Sequence, residues 1–176
     1  MDFARVIDLV SGFFDREKFP FAVIGAFGLH AYGLTRATTD VDFVTESTAR
    51  PSLVRFLEEN GYETLYASEG YSNHLHPDPA LGRVDLVYVS GGTAQELFGA
   101  ADSDRLIAGR RVPVPRPEHL AAMKVHAIRN DPNRRYQELA DIRFLMELPG
   151  VDRAQIRGYF ISSGLEKLYE ELERTL

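Results

Sequence analysis

Two short apolar runs, each interrupted by acid, constrain this chain more than any other feature. The first reads DVDFVT from Asp40 and the second RVDLVYV from Arg83. Side chains alternate across a strand, so Asp40 and Asp42 project from one face, roughly 6 to 7 Å apart along it. In the second run Val84, Leu86 and Tyr88 share one face, and Asp85 shares the other with Val87 and Val89. Carboxylates so placed repel one another, and a hard divalent cation that prefers oxygen ligands, Mg2+ above all, relieves the repulsion. For any one of these aspartates alone the simpler reading is a sheet-edge acid or an ion pair, in the case of Asp85 with Arg83.

The surrounding pattern alternates helix and strand and ends in helices. Phe3, Val6, Ile7, Val10, Phe13 and Phe14 recur at helical spacing, which predicts an amphipathic helix over the first 17 or so residues, ending before Pro20. A strand is expected over Phe21 to Gly25, then a helix from Ala26 to Tyr32 closed by Gly33. The aspartate strand spans Val41 to Thr45, and Ser47 or Thr48 is expected to cap a helix running to Asn60-Gly61. Tyr62 to Tyr66, Ser72 to His76 and Arg83 to Val89 read as strands, Thr93 to Ala101 as a short helix, and Leu106 to Val114 as an edge pair broken at Gly109. Pro115 and Pro117 mark a boundary. Helices are expected beyond it over 118–130, 134–147, 152–161 and 164–176. The expectation is an α/β (α+β) fold, with residues 1–115 as the core and 116–176 as a helical segment packed on it in a single compact unit.

Composition narrows the function classes. A chain of 176 residues supports one well-buried core. A formal charge of -6 argues against a protein that coats nucleic acid. From Arg105 to Arg143, however, nine Lys and Arg stand against four Asp and Glu, a local net of +5. With no cysteine, disulfides, thiolate zinc sites and cysteine nucleophiles are excluded. The first residues carry acids and no apolar run of signal or membrane length, so a soluble, cytoplasmic, membrane-free protein is expected.

Between the first strand and helix, Gly25 and Ala26 place free backbone N–H groups where an anion can approach. Arg36 and Thr39, in the loop before Asp40, add a guanidinium and a hydroxyl suited to phosphate oxygens, or to ordering the loop. His74 and His76 sit two apart, but Pro77 and Pro79 suggest an exposed turn with no third ligand near, so zinc is not expected. His30, His119 and His126 read as packing or surface residues, and GAFG lacks the Lys-Ser/Thr of a P-loop.

The pattern G-A-x(13)-D-x-D with a third Asp on a later strand resembles the nucleotidyltransferase superfamily of the DNA polymerase β type. GLTRATTDVDF together with AAMKVHAIRNDPNRRYQELADIRFL resembles its AbiEii/AbiGii toxin-type branch. The resemblance runs from about Phe21 to Leu145. It implies that Asp40, Asp42 and Asp85 bind two catalytic Mg2+ ions, with Mn2+ as a substitute, and that Asp85 also helps deprotonate the acceptor. It further implies that Lys124 reaches the phosphates and that Asp141 orients an Arg or the base, beside a structural reading in which Asp141 pairs with Arg135 or Arg143. Ala26 departs from the Gly-Gly or Gly-Ser turn usual in the superfamily, which removes a serine hydroxyl and keeps the backbone N–H. The implied activity is transfer of an NMP from an NTP to an acceptor hydroxyl, on tRNA or a protein, by a toxin with a cognate antitoxin. The alternatives are modification of a small antibiotic-type compound, or a non-catalytic nucleotide-binding module.

Overall fold

A run of aromatic contacts builds the core around which the first strands assemble. In the computed structural model, which describes Met1 to Leu176, helix α1 (Phe3–Glu17) starts where the Asp2 side chain accepts the N–H of Arg5. It buries Val6, Ile7, Val10, Phe13 and Phe14. Phe14 stacks on Phe21 with centroids 4.7 Å apart and also meets Phe43, while Phe13 packs on Phe56 at 4.7 Å. These contacts tie α1 to strands β1 (Phe21–Val23) and β2 (Asp40–Glu46) and to helix α3 (Arg50–Glu59).

The sheet has the order β1-β2-β5-β4-β3, with β3 at Glu63–Ala67, β4 at Tyr71–Leu75 and β5 at Arg83–Val89. Of its pairings only β2 with β5 is parallel, so the sheet is mixed. Helix α2 (Gly25–His30) follows β1 directly, and α4 (Gly91–Gly99) follows β5. A separate hairpin joins β6 (Asp102–Ile107) to β7 (Arg110–Val114). Chain contacts separate the molecule into two units, Met1–Pro115 and Arg116–Leu176. The second contains α5 (Pro117–Asn130), α6 (Arg135–Glu147), α7 (Arg153–Ser162) and α8 (Glu166–Glu173), whose buried side includes Leu120, Val125, Ile142, Leu145, Ile156, Phe160 and Leu168.

Three boundaries depart from expectation for identifiable reasons. Neither Ser47 nor Thr48 caps α3: residues 47–49 form a 3-10 turn, the Thr48 hydroxyl donates to Glu46, and the helix starts at Arg50 with Pro51 in its first turn. Proline suits that position because its missing N–H has no helical partner there. Strand β6 begins at Asp102 rather than Leu106, since its pairing with β7 continues to Val114 through a register shift. Helix α2 begins at Gly25 and ends at His30, not Tyr32.

His74 is fully buried rather than part of an exposed turn. The hydroxyl of Thr64 donates to Glu58 Oε1 at 2.8 Å and lies 3.1 Å from His74 Nδ1. A hydroxyl has one hydrogen, so Nδ1 must be the donor in that contact. Nε2 is then the acceptor for Ser72 Oγ at 2.9 Å, and Tyr88 OH donates to Ser72 at 2.7 Å. One chain of hydrogens, from Tyr88 to Glu58, thus runs through a neutral imidazole. Burial holds the His74 pKa below its ordinary value of 6.5. An unfolded chain therefore binds a proton that the folded chain refuses, and folding stability is lost as pH falls below about 6.5. We expect the urea midpoint of the protein to drop between pH 7 and pH 5, and His74→Gln to flatten that slope while lowering stability at pH 7; equal slopes for the two proteins would contradict a neutral His74.

Candidate functional site

The parallel register of β2 and β5 sets Asp40 across from Arg83 and Asp42 across from Asp85. Paired strand residues share a face, so these four side chains form a two-by-two block on one side of the sheet. One carboxylate oxygen from each of Asp40, Asp42 and Asp85 lies within 4.8 Å of the other two. Asp85 is 8% exposed, while Asp40 and Asp42 are half-buried.

Each aspartate is held differently. Where β1 turns into α2, Gly25 adopts φ +59°, and the Ile24 N–H donates to the Asp42 carbonyl at 3.0 Å. A Cβ on Gly25 would lie 1.9 Å from Asp42 Oδ2, so the backbone of the turn is pressed against this carboxylate. Asp40 accepts the Thr38 hydroxyl at 2.5 Å. The loop before it is pinned by His30, whose Nε2 lies 3.0 Å from the Arg36 carbonyl oxygen and 3.2 Å from the Arg36 backbone nitrogen, and whose ring meets Phe27 edge-on. Asp85 accepts a fork from Arg83, Nε to Oδ1 at 2.8 Å and Nη2 to Oδ2 at 3.1 Å. That bonding raises the Arg83 pKa and keeps the guanidinium charged. Arg83 Nη2 also donates to the Tyr71 hydroxyl at 3.3 Å. Burial, reinforced by the negative charge of Asp85, pushes Tyr71 up to about 12, so this hydroxyl stays neutral.

The face continues across β4 and β3. Asn73 stands across from Asp85, Leu75 across from Arg83 and Tyr66 across from Asn73. Tyr66 is 57% and Leu75 42% exposed, and the Tyr66 and Tyr71 rings lie 6.3 Å apart. The flank beyond Asp85 is therefore aromatic and apolar.

The carboxylate trio fits a hard divalent cation. Octahedral Mg2+ with oxygens at about 2.0 to 2.1 Å spans ligand separations up to about 4.2 Å, which small side-chain rotations reach from the present spacing. The Arg83 fork uses part of the Asp85 acceptor capacity and leaves lone pairs on both oxygens.

The remaining sequence candidates fall as follows. Ala26 is buried in α2, Arg36 sits half-buried in the pinned loop, and Thr39 is exposed, so the hydroxyl on Asp40 is that of Thr38. Lys124, in the helical unit, is 7% exposed, and its Nζ donates to Glu138 at 2.9 Å and to Asp141 at 2.6 Å. Asp141 thus meets Lys124, Arg143 pairs with Glu147, and Arg134 closes on Glu138 at 2.6 Å. The basic stretch is likewise paired: Arg105, Arg110, Arg111, Arg116, Lys124, Arg134 and Arg143 each have an acid within 4.0 Å. Sequence reasoning overlooked Thr38, whose signal was its spacing two residues before an acid, and read His30 as a packing or surface residue without its link to Arg36.

Among solved structures the chain is similar to that of the antibiotic-resistance factor ANT(2'')-Ia, at 16% identity and TM-score 0.72 over 99% of this chain and 98% of the other. It is similar to the complex of that protein with adenylyl-2''-tobramycin, at 14% identity and TM-score 0.69 over 93% and 98%. The lincomycin-bound lincosamide antibiotic adenylyltransferase LnuA matches at 14% identity and TM-score 0.59 over 81% and 96%. A nucleotidyltransferase-like protein from Paracoccidioides brasiliensis matches at 15% identity and TM-score 0.58 over 98% and 92%. No protein-family model and no curated protein matches the chain. At these identities the likeness establishes a shared fold: the chain has the mixed α/β architecture of the nucleotidyltransferases.

Two outcomes test the site geometry. Gly33→Ala, at φ +101° with open space around it, should cost about 1 kcal/mol from backbone strain alone, whereas Gly25→Ala should cost clearly more because Asp42 must move; similar thermal midpoints for the two variants would remove the close approach as a constraint. Lys124→Met removes the buried ammonium shared by Glu138 and Asp141 and should lose about 3 kcal/mol in urea unfolding, a loss that Lys124→Arg reduces.

Proposed function

We propose that this protein is a divalent-metal-dependent nucleotidyltransferase, moving an NMP from an NTP to an acceptor hydroxyl. The observation that carries the reading is the convergence of Asp40, Asp42 and Asp85 on one sheet face with the Gly25 turn against Asp42. Asp40, Asp42 and Asp85 would hold Mg2+, or Mn2+. When bound, such a cation neutralises phosphate charge and the pyrophosphate leaving group. Asp85 takes the proton of the acceptor hydroxyl. The acceptor oxygen bonds to the α-phosphorus as the bond to the bridging oxygen breaks, and that electron pair leaves with pyrophosphate. Gly25 and Ala26 present backbone, and Arg36 and Thr39 side chains, to the nucleotide. Lys124 and Asp141 are assigned to holding α5 against α6 through their buried ion pair.

The acceptor we assign is a hydroxyl on tRNA or a protein, with the protein acting in the cytoplasm as a toxin held by a cognate antitoxin. Its support is the resemblance of GLTRATTDVDF and the Lys124 helix to the AbiEii/AbiGii branch. A second reading, a small hydroxylated compound, is favoured by two observations. The basic stretch that would serve RNA phosphates is largely neutralised by ion pairs. In addition, the fold likeness includes proteins whose names describe antibiotic modification. The flank of Tyr66, Tyr71 and Leu75 next to Asp85 suits an acceptor with an apolar or planar ring.

Purified protein with Mg2+ and each radiolabelled NTP, offered total tRNA, a protein extract, aminoglycosides and lincosamides, should label one acceptor class. Asp42→Asn should reduce labelling at least about 1,000-fold with its circular dichroism unchanged. Labelling that survives Asp42→Asn sinks the assigned role, and no labelling of any acceptor points to a nucleotide-binding module.

A further inference from the structure

We propose that the helical unit carries a second ligand site, a cleft between the ends of α5 and α7 and the start of α8 that binds a small amphipathic anion, with an apolar body on the lining and a carboxylate or phosphate head on a rim of cations. It uses none of the residues assigned to nucleotidyl transfer, so it stands or falls independently of that reading.

The unpaired charges of the basic stretch lead to it. Seven of the nine Lys and Arg between Arg105 and Arg143 meet an acid within 4.0 Å. The two that do not, Arg129 and Arg135, both line this cleft, and Lys167, which also lacks an acid partner, joins them from α8. Of the two acids in the lining, Glu166 is held by Arg157 at 3.1 Å, and Glu171 has no cation within 4.0 Å. Three cations against one available acid leave the rim at a net +2. Arg135 is held in place as well: its Nη2 donates to the Tyr136 hydroxyl at 3.1 Å, and its guanidinium lies 4.9 Å from the centre of that ring.

The rest of the lining is apolar. Ile128 and Leu168 are buried, Leu165 is half-buried, and Ile161 is 49% exposed, one of the few large apolar side chains that the fold leaves in water. The cleft has a volume of about 790 Å3, within the range of roughly 300 to 1,000 Å3 usual for small-molecule sites. A bare inorganic anion would satisfy the cations and leave Ile161 and Leu165 wet, and a neutral apolar compound would cover them and leave the charges unmatched. An apolar body with an acidic head answers both, since its burial removes apolar surface from water and the guanidinium fork fits a carboxylate or phosphate.

Calorimetric titration of the full chain tests this, with decanoate, decyl phosphate, decyltrimethylammonium, inorganic phosphate and an acidic amphipathic peptide as probes. Decanoate or decyl phosphate should bind at one per chain, at least about tenfold more tightly than decyltrimethylammonium or inorganic phosphate, and the tighter of the two identifies the head group. The double variant Arg129→Glu, Lys167→Glu should weaken that binding at least about tenfold because two charges of the rim are reversed. Ile161→Asp, at an exposed position, should weaken it similarly by placing a carboxylate in the apolar lining. No saturable binding of either anion, equal binding of decyltrimethylammonium, or variants that fold and bind as the wild type does would overturn the proposal. Tighter binding of the peptide than of both anions, lost in the same variants, would overturn it in favour of a protein partner. If a variant does not fold, the ranking of the probes on the wild-type protein still decides.

Discussion

The parallel ladder between β2 and β5 is the constraint on which the rest of the site depends. Its register brings Asp42 level with Asp85 and Asp40 level with Arg83. A slip of one residue would send Asp85 to the opposite face, beside Val41 and Phe43, both fully buried. An ionised carboxylate there is costly without a partner. The apolar face therefore pins the polar one: Phe43, held between Phe14 and Phe21, sets the strand height at which Asp42 emerges. Parallel neighbours also need a long crossover, and the stretch between them builds α3, β3 and β4, the last of which supplies Tyr71.

The two faces of the sheet solve the problem of polar groups in opposite ways. On the far face the chain of Tyr88, Ser72, His74 and Thr64 is neutral, and each hydroxyl and imidazole hydrogen is used once, ending on Glu58. On the near face the groups are charged and crowded, and crowding is relieved partly by Arg83. A neutral chain satisfied within the protein rigidifies the scaffold, while a charged cluster left net negative stays receptive to a cation. The helical unit repeats the first strategy with charges, since Lys124 lies between Glu138 and Asp141 in a buried cluster.

Much of the architecture was legible in the residues because it is written at short range. The helix over the first 17 residues, the aspartate strand and the four C-terminal helices follow from spacing and from Pro and Gly positions, and their observed limits differ by a few residues at most. The errors are long-range. Within the +5 stretch, the pairing of Arg110 with Asp8 and Asp15, residues far upstream, is invisible to a local count of charges. His74 looked exposed because prolines follow it, whereas its own strand position turns it to the buried face, across from Val84. Thr38 and the hydrogen-bonding role of His30 went unassigned because a loop's hydrogen bonds depend on its folded path.

The residue order alone determined that three aspartates would emerge from sheet strands, that Asp40 and Asp42 would share a face, and that a glycine turn would precede them. Those are consequences of strand periodicity and of glycine's freedom at positive φ, both local. Tertiary structure decided that Asp85 joins them and that Gly25 touches Asp42 so closely that no side chain fits. Such facts depend on which strands become neighbours and in what register, and the burial of apolar side chains from the whole first unit selects both.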